Sequence, residues 1–548
     1  MAVVYPPPWL RVRLGGCVVE QGSENPSSSR AAGTPRGPER ALREMLVIAL
    51  PSIATMASYT AMQFFDRLMV KDIGPEPIYL AAHGNAAIAT WTLMTFCIGM
   101  ISIVNSFVSQ NLGAGKAERG SAYAWNAMWI GAGYWLVVMV PAVLVAPWLL
   151  RVFGHEQELY ELELAYASIA MGGSIFTLLA KAVHNYFFGM HRPGVVMVAA
   201  VTGNLANIFL NVLFIFGSDG PPERWPAHEF FAGIAGLLGI PAMGLAGAAL
   251  ATVLGTVIEF SVPMVIFLSG KFARRYGTRA AWRPRIGQMK DIARVGWPAG
   301  MMFINELVCW AYLMTFLVGE AGRRAVLHAG GTVAAATEAA TMANTAGFAA
   351  LQWMHLSFMP TVGLSIATQA VVGKAIGEGD PDKAARRAWL GLKLAVGYMG
   401  LCAVVFVAFR HELIGLFINP ETPATQRDEM LRIGGQVMIA AAVFQVFDAV
   451  AIVMSAALRG AGDTVWPGIA TVVLSWVSIV GLGHLLMWTS PGLGSIGPWI
   501  GASGYIVLLG VILLLRFMSG RWRSIRLTHG SDVLHNLPVD EVAPGPGL

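Results

Sequence analysis

The chain has 548 residues, of which 55% are hydrophobic and only 13% charged, with a formal net charge of +5. An ordinary soluble domain is about a quarter charged, so a chain made largely of apolar runs of about 20 residues belongs in a bilayer, and its length does not count soluble domains. The positive charge lies between apolar runs rather than on one soluble face, which points to positive-inside bias and excludes nucleic acid as an expected partner.

Residues 1–44, with Pro6, Pro7 and Pro8 and Ser-, Gly-, Pro- and Arg-rich sequence, show no apolar periodicity and read as a disordered cytoplasmic tail. Leu14-Gly-Gly-Cys17 is like a lipoprotein cleavage box, but the apolar stretch that a signal peptide needs before it is missing. Spans are then predicted near 45–70, 82–109, 122–150, 163–189, 194–217, 243–269, 294–319, 338–372, 386–409, 432–458, 465–488 and 493–516. The fold class is therefore all-α and integral to the membrane, with twelve helices.

In the first span Asp66 lies toward the outer end beside Arg67, where an interfacial ion pair competes with a buried polar site. The second span ends in Ser109-Gln-Asn-Leu-Gly-Ala-Gly-Lys-Ala-Glu-Arg119, whose Gly-Lys pair lacks the Ser or Thr, the spacing and the preceding strand of a phosphate-binding loop. Gly113 and Gly115 read instead as residues of a tight turn between helices. Lys181, near the inner end of the fourth span, is expected to snorkel to the surface. Asn204, Asn207 and Asn211 share one face of the fifth span, which suits either an interhelical hydrogen-bond seam or a substrate path.

A basic stretch, residues 271–293, follows the sixth span and reads as a cytoplasmic linker between an N-lobe over 45–270 and a C-lobe over 294–518. In the seventh span Glu306, and in the tenth Asp448, are each the only charge in the apolar stretch around them. A charged residue at mid-bilayer costs roughly 2.5–3.5 kcal/mol on insertion scales, and short acids cannot snorkel as lysine does, so both are expected to have a function. After the eighth span the chain repeats itself: Gly373-Lys-Ala-Ile-Gly-Glu-Gly-Asp-Pro-Asp-Lys383 matches the earlier loop, with Gly377 for Gly113, Gly379 for Gly115 and Trp389 for Trp125. Six spans separate the copies, so the halves are parallel repeats about an axis along the membrane normal. Residues 519–548 read as a second cytoplasmic tail.

Lys116, Arg119, Arg192, the 271–293 run, Lys374, Lys383, Arg386, Arg387, Arg459, Arg521, Arg523 and Arg526 fall on one side, and Glu156, Glu158, Glu161 and Glu163 on the other. Both termini are therefore expected in the cytoplasm, in a multi-pass cell-membrane protein. Cys17, Cys97, Cys309 and Cys402 lie far apart and suggest neither disulfides nor a zinc site. No paired acids for Mg²⁺ and no His/Glu metal motif stand inside the spans, so an enzyme is not expected.

These residues, in this order, resemble the multidrug and toxic compound extrusion (MATE) family over about residues 42–520: Leu50-Pro51, Asp66 in Phe-Asp-Arg-Leu-Met-Val, Gln110–Gly120, Asn207–Asn211, Phe358–Gly379 and Leu458–Thr464. Glu306, following Pro298, and Asp448 in Phe-Asp-Ala-Val favour the NorM-like subgroup. The resemblance implies two six-helix lobes, no cofactor beyond a coupling ion, Na⁺ or H⁺, and export of small organic cations through alternating access. It implies an ion or substrate site at Glu306 and Asp448, which would hold Na⁺ if that is the ion, and an N-lobe polar site at Asp66, Asn207 and Asn211. Asn344, Gln352 and His355 are cavity candidates in the eighth span. A monomer in contact with lipid is expected. The alternative in the same superfamily, a flippase for a lipid-linked or polyanionic substrate, would need a cavity rich in Lys and Arg, whereas the deep charges here are mainly acidic.

Overall fold

The computed structural model describes residues 38–74, 78–152, 156–225, 227–418, 422–525 and 527. The readings placed on residues 1–37 and 528–548, including the Leu14–Cys17 box, lie outside the described residues. The described residues from Ala41 onward form one compact body.

Among the described residues twelve helices are long and apolar enough to cross a membrane: α1 Glu39–Lys71, α2 Ile78–Gly113, α3 Ala117–Arg151, α4 Gln157–Gly189, α5 Pro193–Asp219, α6 Gly244–Phe267, α7 Ile286–His328, α8 Val333–Gly377, α9 Pro381–Ala408, α10 Ala424–Ala461, α11 Val465–Thr489 and α12 Ile496–Met518. All twelve expected spans are present, and no strand occurs among the described residues. Local chemistry sets several boundaries. The Asp380 side chain accepts the Lys383 amide at 2.7 Å, with Pro381 in the first helical position of α9, and Gly462 ends α10 at φ +98°. Single wide turns interrupt α3 at Trp135–Met139 and α7 at Leu313–Leu317, and a longer stretch of the same kind interrupts α11 at Ser475–Leu482. Such π-turns often stand beside functional residues, and here Ser475 and Trp476 both hydrogen-bond to Asn305, the neighbour of Glu306.

Two apolar cores result. One gathers Phe107, Tyr123, Tyr186, Phe187 and Phe267 from the first six helices, and the other gathers Met438, Phe444, Trp499, Tyr505 and Leu513 from the last six. The first helix of each bundle begins in the other's core: Met45, Ile48 and Ala49 of α1 pack in the second, and Ile292 of α7 in the first. Each bundle is thus clasped by the opening turns of its partner.

The repeated motif lies at the centre of this clasp. A Cβ added to Gly113 would stand 2.0 Å from the carbonyl oxygen of Lys374, and one added to Gly377 would stand 2.0 Å from that of Gln110. Gln110 and Lys374 are themselves equivalent in the two copies, so the contact is reciprocal, as across a two-fold axis. Nearby, Asn105 donates to the carbonyl of Ile366 (3.3 Å) and its counterpart Gln369 donates to that of Ser102 (3.2 Å). The turn reading therefore holds for Gly115 and Gly379, at φ +74° and +79°. Gly113 is a helical residue that lets α2 and α8 touch through their backbones.

Among the described residues, the hydrogen bonds found between the bundles lie toward the face on which α1 begins. They include Ser106 Oγ to the carbonyl of Arg459 (2.8 Å) and Gln110 Nε2 to that of Gly460 (2.9 Å). His191, between α4 and α5, reaches α8 through Nε2 and the carbonyl of Ala370 at 3.1 Å. Burial pushes its imidazole down to about 4 from the ordinary 6.5. An unfolded chain takes up that proton near pH 6.5 and the folded one resists it, so stability is full above about pH 6.5 and is lost as pH falls toward 4. His191→Asn keeps a residue that tolerates the φ of 57° found here. It should make the thermal midpoint fall less between pH 7 and pH 5 than it does in the unaltered protein.

Candidate functional site

The second bundle holds both deep acids. Pro298 lies within α7 and Glu306 two turns beyond it; Glu306 accepts a hydrogen bond from the Tyr505 hydroxyl of α12 at 2.9 Å. Asp448 of α10 lies within electrostatic reach of Glu306 and of Tyr505. Glu306 and Asp448 are intermediate in exposure as residues, and Tyr505 is buried. Two carboxylates so placed repel one another, and a cation or a shared proton between them removes that repulsion.

Arg459 completes this group, which the residue pattern alone did not suggest. The sequence placed it in a loop, but it lies inside α10, buried, three turns beyond Asp448. Its Nη1 donates to Ser455 Oγ at 2.8 Å, its guanidinium lies 5.9 Å from the Phe303 ring centre, and its charge reaches Glu306. Its backbone carbonyl accepts from Ser106 of the first bundle. One residue thus has its charge within electrostatic reach of Glu306 and its carbonyl in the contact between bundles.

The first bundle contains two polar layers on the same helix faces. In the outer layer Asn211 donates to Asp66, and Asn207, with its amide turned to suit its neighbours, donates to Asp66 at 2.9 Å and accepts the Thr252 amide at 3.2 Å. Asp66 is 8% exposed. It forms no ion pair with Arg67, because successive residues on a helix point in different directions. The expected N-lobe residues Asp66, Asn207 and Asn211 are therefore together, as a hydrogen-bonded seam.

Seven residues away on each of α1, α5 and α6, about two turns or 10 Å, lies the inner layer. Asn204 donates to Ser58 Oγ at 2.9 Å, and the Tyr59 hydroxyl donates to Glu259. Lys181 of α4 donates to the Tyr59 oxygen at 2.8 Å and lies 3.4 Å from Glu259. It does not snorkel, since a carboxylate inside the bundle holds its ammonium more closely than the surface would. Glu259 went unread in the sequence although it is the lone charge in the apolar run of α6, the same signal that picked out Glu306 and Asp448.

The eighth-span candidates scatter. Asn344 packs against Gly319 of α7 with its Oδ1 buried and unpartnered. His355 stacks on Phe358, has a buried unpartnered Nε2, and lies in electrostatic reach of Arg67 in the first bundle. Gln352 is partly buried. Among the described residues none of the three hydrogen-bonds to Glu306 or Asp448, and no group of three or more His, Cys, Asp or Glu is placed to hold a metal ion. A Na⁺ at the acid pair would need hydroxyl or carbonyl oxygens as well.

The sequence profile of the MatE family matches residues 51–213 and 339–482. A probable multidrug resistance protein NorM of Pseudomonas aeruginosa is 28% identical over 89% of this chain and 90% of its own length. A protein of the same name from Mesorhizobium japonicum is 27% identical over 87% and 93%. Among solved structures, one described as the outward-facing conformation of a multidrug resistance MATE family transporter superposes with a TM-score of 0.71 at 19% identity, covering 91% of this chain and 99% of that one.

Proposed function

Because the chain belongs to the MatE family of multidrug efflux transporters, we propose that it exports small organic cations in exchange for entering Na⁺ or H⁺, by alternating access between its two bundles. It is a multi-pass membrane transporter and not an enzyme. The observation that carries the exchange reading is the acid pair Glu306 and Asp448, set in an apolar bundle beside Tyr505. Coupling ion and substrate compete for those carboxylates, so each displaces the other. Two ligands bound together without penalty would uncouple export from the gradient.

Alternating access needs two arrangements that the ligands stabilise differently. The contacts around Gly113 and Gly377 close the face on which α1 begins, and the concentration of Lys and Arg there supports the reading of that face as cytoplasmic. On that reading the arrangement described is closed on its cytoplasmic side. Bases inside the bundles, Lys181 and Arg459, each stand near a carboxylate, which favours cationic over polyanionic cargo.

Purified protein in vesicles loaded with ethidium tests the exchange directly. An inward Na⁺ gradient or an inward pH gradient, imposed separately, should drive ethidium movement against its own gradient, and the effective one names the coupling ion. Movement that neither gradient alters would end the antiport reading. One ion per monovalent drug moves no net charge, whereas two ions gain about 2.3 kcal/mol per 100 mV, so a membrane potential separates the stoichiometries.

A further inference from the structure

The inner polar layer of the first bundle has the parts of an amine site, already filled. Glu259 supplies a carboxylate that is 8% exposed, and the Tyr59 ring lies 4.2 Å from the Lys181 ammonium. A carboxylate and an aromatic face are the two groups that hold an ammonium in a dry setting. We propose that Glu259 and Tyr59 form a second cation site, for protonated amines, in which Lys181 is a tethered competitor that an incoming amine displaces. This rests on the reading of the chain as an exporter of cations and adds a site in the other bundle.

Three observations favour a site over a fixed structural ion pair. Lys181 is the more exposed partner, at 20% of its side chain against 8% for Glu259, so it is the less enclosed of the two groups. Its stem is flexible and unbranched, which lets it withdraw without moving the helix. His184 turns Nδ1 toward Glu259 at 3.6 Å, and its Nε2 is buried without a partner. With the ring proton on Nδ1, that N–H faces Glu259 and steadies the carboxylate as Lys181 withdraws.

Equilibrium dialysis of radiolabelled benzylamine, at neutral pH, against the full chain in lipid nanodiscs tests the assignment. Lys181→Met removes the competing charge at similar length and should tighten benzylamine binding at least tenfold, and adding Glu259→Gln should abolish that gain. Unchanged affinity and stoichiometry in Lys181→Met, or a gain that survives in the double variant, would overturn the site. If Lys181→Met does not fold, Lys181→Ala purified with benzylamine provides the second measurement: stabilisation against heat by the amine that adding Glu259→Gln removes supports the site, and stabilisation that survives Glu259→Gln, or none at all, refutes it. Dialysis needs no gradient, so loss of export through changes at Glu306 bears on the transport reading alone.

Discussion

Glu306→Gln and Asp448→Asn should each lower ion-driven ethidium export at least tenfold in vesicles, at equal amounts of folded protein. Both substitutions preserve size and hydrogen-bonding capacity and remove one negative charge. A tenfold loss corresponds to about 1.4 kcal/mol. That is a modest share of the interaction between a cation and a carboxylate in an apolar bundle, where the effective dielectric is far below that of water. Glu306→Gln can still accept from the Tyr505 hydroxyl, so the packing around α12 is kept and the loss reports charge. If the two acids hold one cation between them, either change disables the same site, and the double variant should be little worse than the single ones. Full export by either single variant would remove that acid from the mechanism.

Gly113→Leu and Gly377→Leu should have the other large effect, on the balance between conformations. In each case the new Cβ would begin 2.0 Å from a backbone carbonyl oxygen of the opposite bundle, a distance that no rotamer relieves. The helices must separate, and overpacking of this kind typically costs about 1–3 kcal/mol. At about 1.4 kcal/mol per tenfold, the closed arrangement would lose roughly a 5- to 150-fold advantage over its competitors. Cysteines placed at Ala114 and Glu378, which flank the contact, measure this as a fall in cross-linking yield. Gly115→Ala is the comparison: its φ is +74° and a Cβ there meets nothing within 4 Å, so strain arises locally and the contact between bundles is untouched. Equal cross-linking in Gly113→Leu and the unaltered protein would show that the seam does not depend on this approach.

The repeated motif shows where reading residues in order succeeds and where it stops. Two copies at a constant offset reveal a duplication, and glycine after an apolar run invites a turn. The turn is real at Gly115 and Gly379. Gly113 and Gly377 have the same residue type for a different reason, close backbone contact, and that reason exists only once both copies are brought together. Lys181 is a similar case: distance along the chain from a helix end suggested snorkelling, while its partner Glu259 lies on another helix 78 residues away. Arg459 seemed a loop residue by position and is buried beside Phe303.

Apolar length, charge placement and the duplicated loop determined the membrane fold, the number of spans and the isolated acids from the chain alone, because burying an unpaired charge or a short hydrophobic stretch in lipid is costly wherever the helix sits. Which polar groups meet was decided only in three dimensions. The two layers of the first bundle, the Glu306–Tyr505 bond and the glycine seam each join residues from different helices, and their pairing depends on helix rotation and crossing, quantities that one strand of sequence does not carry.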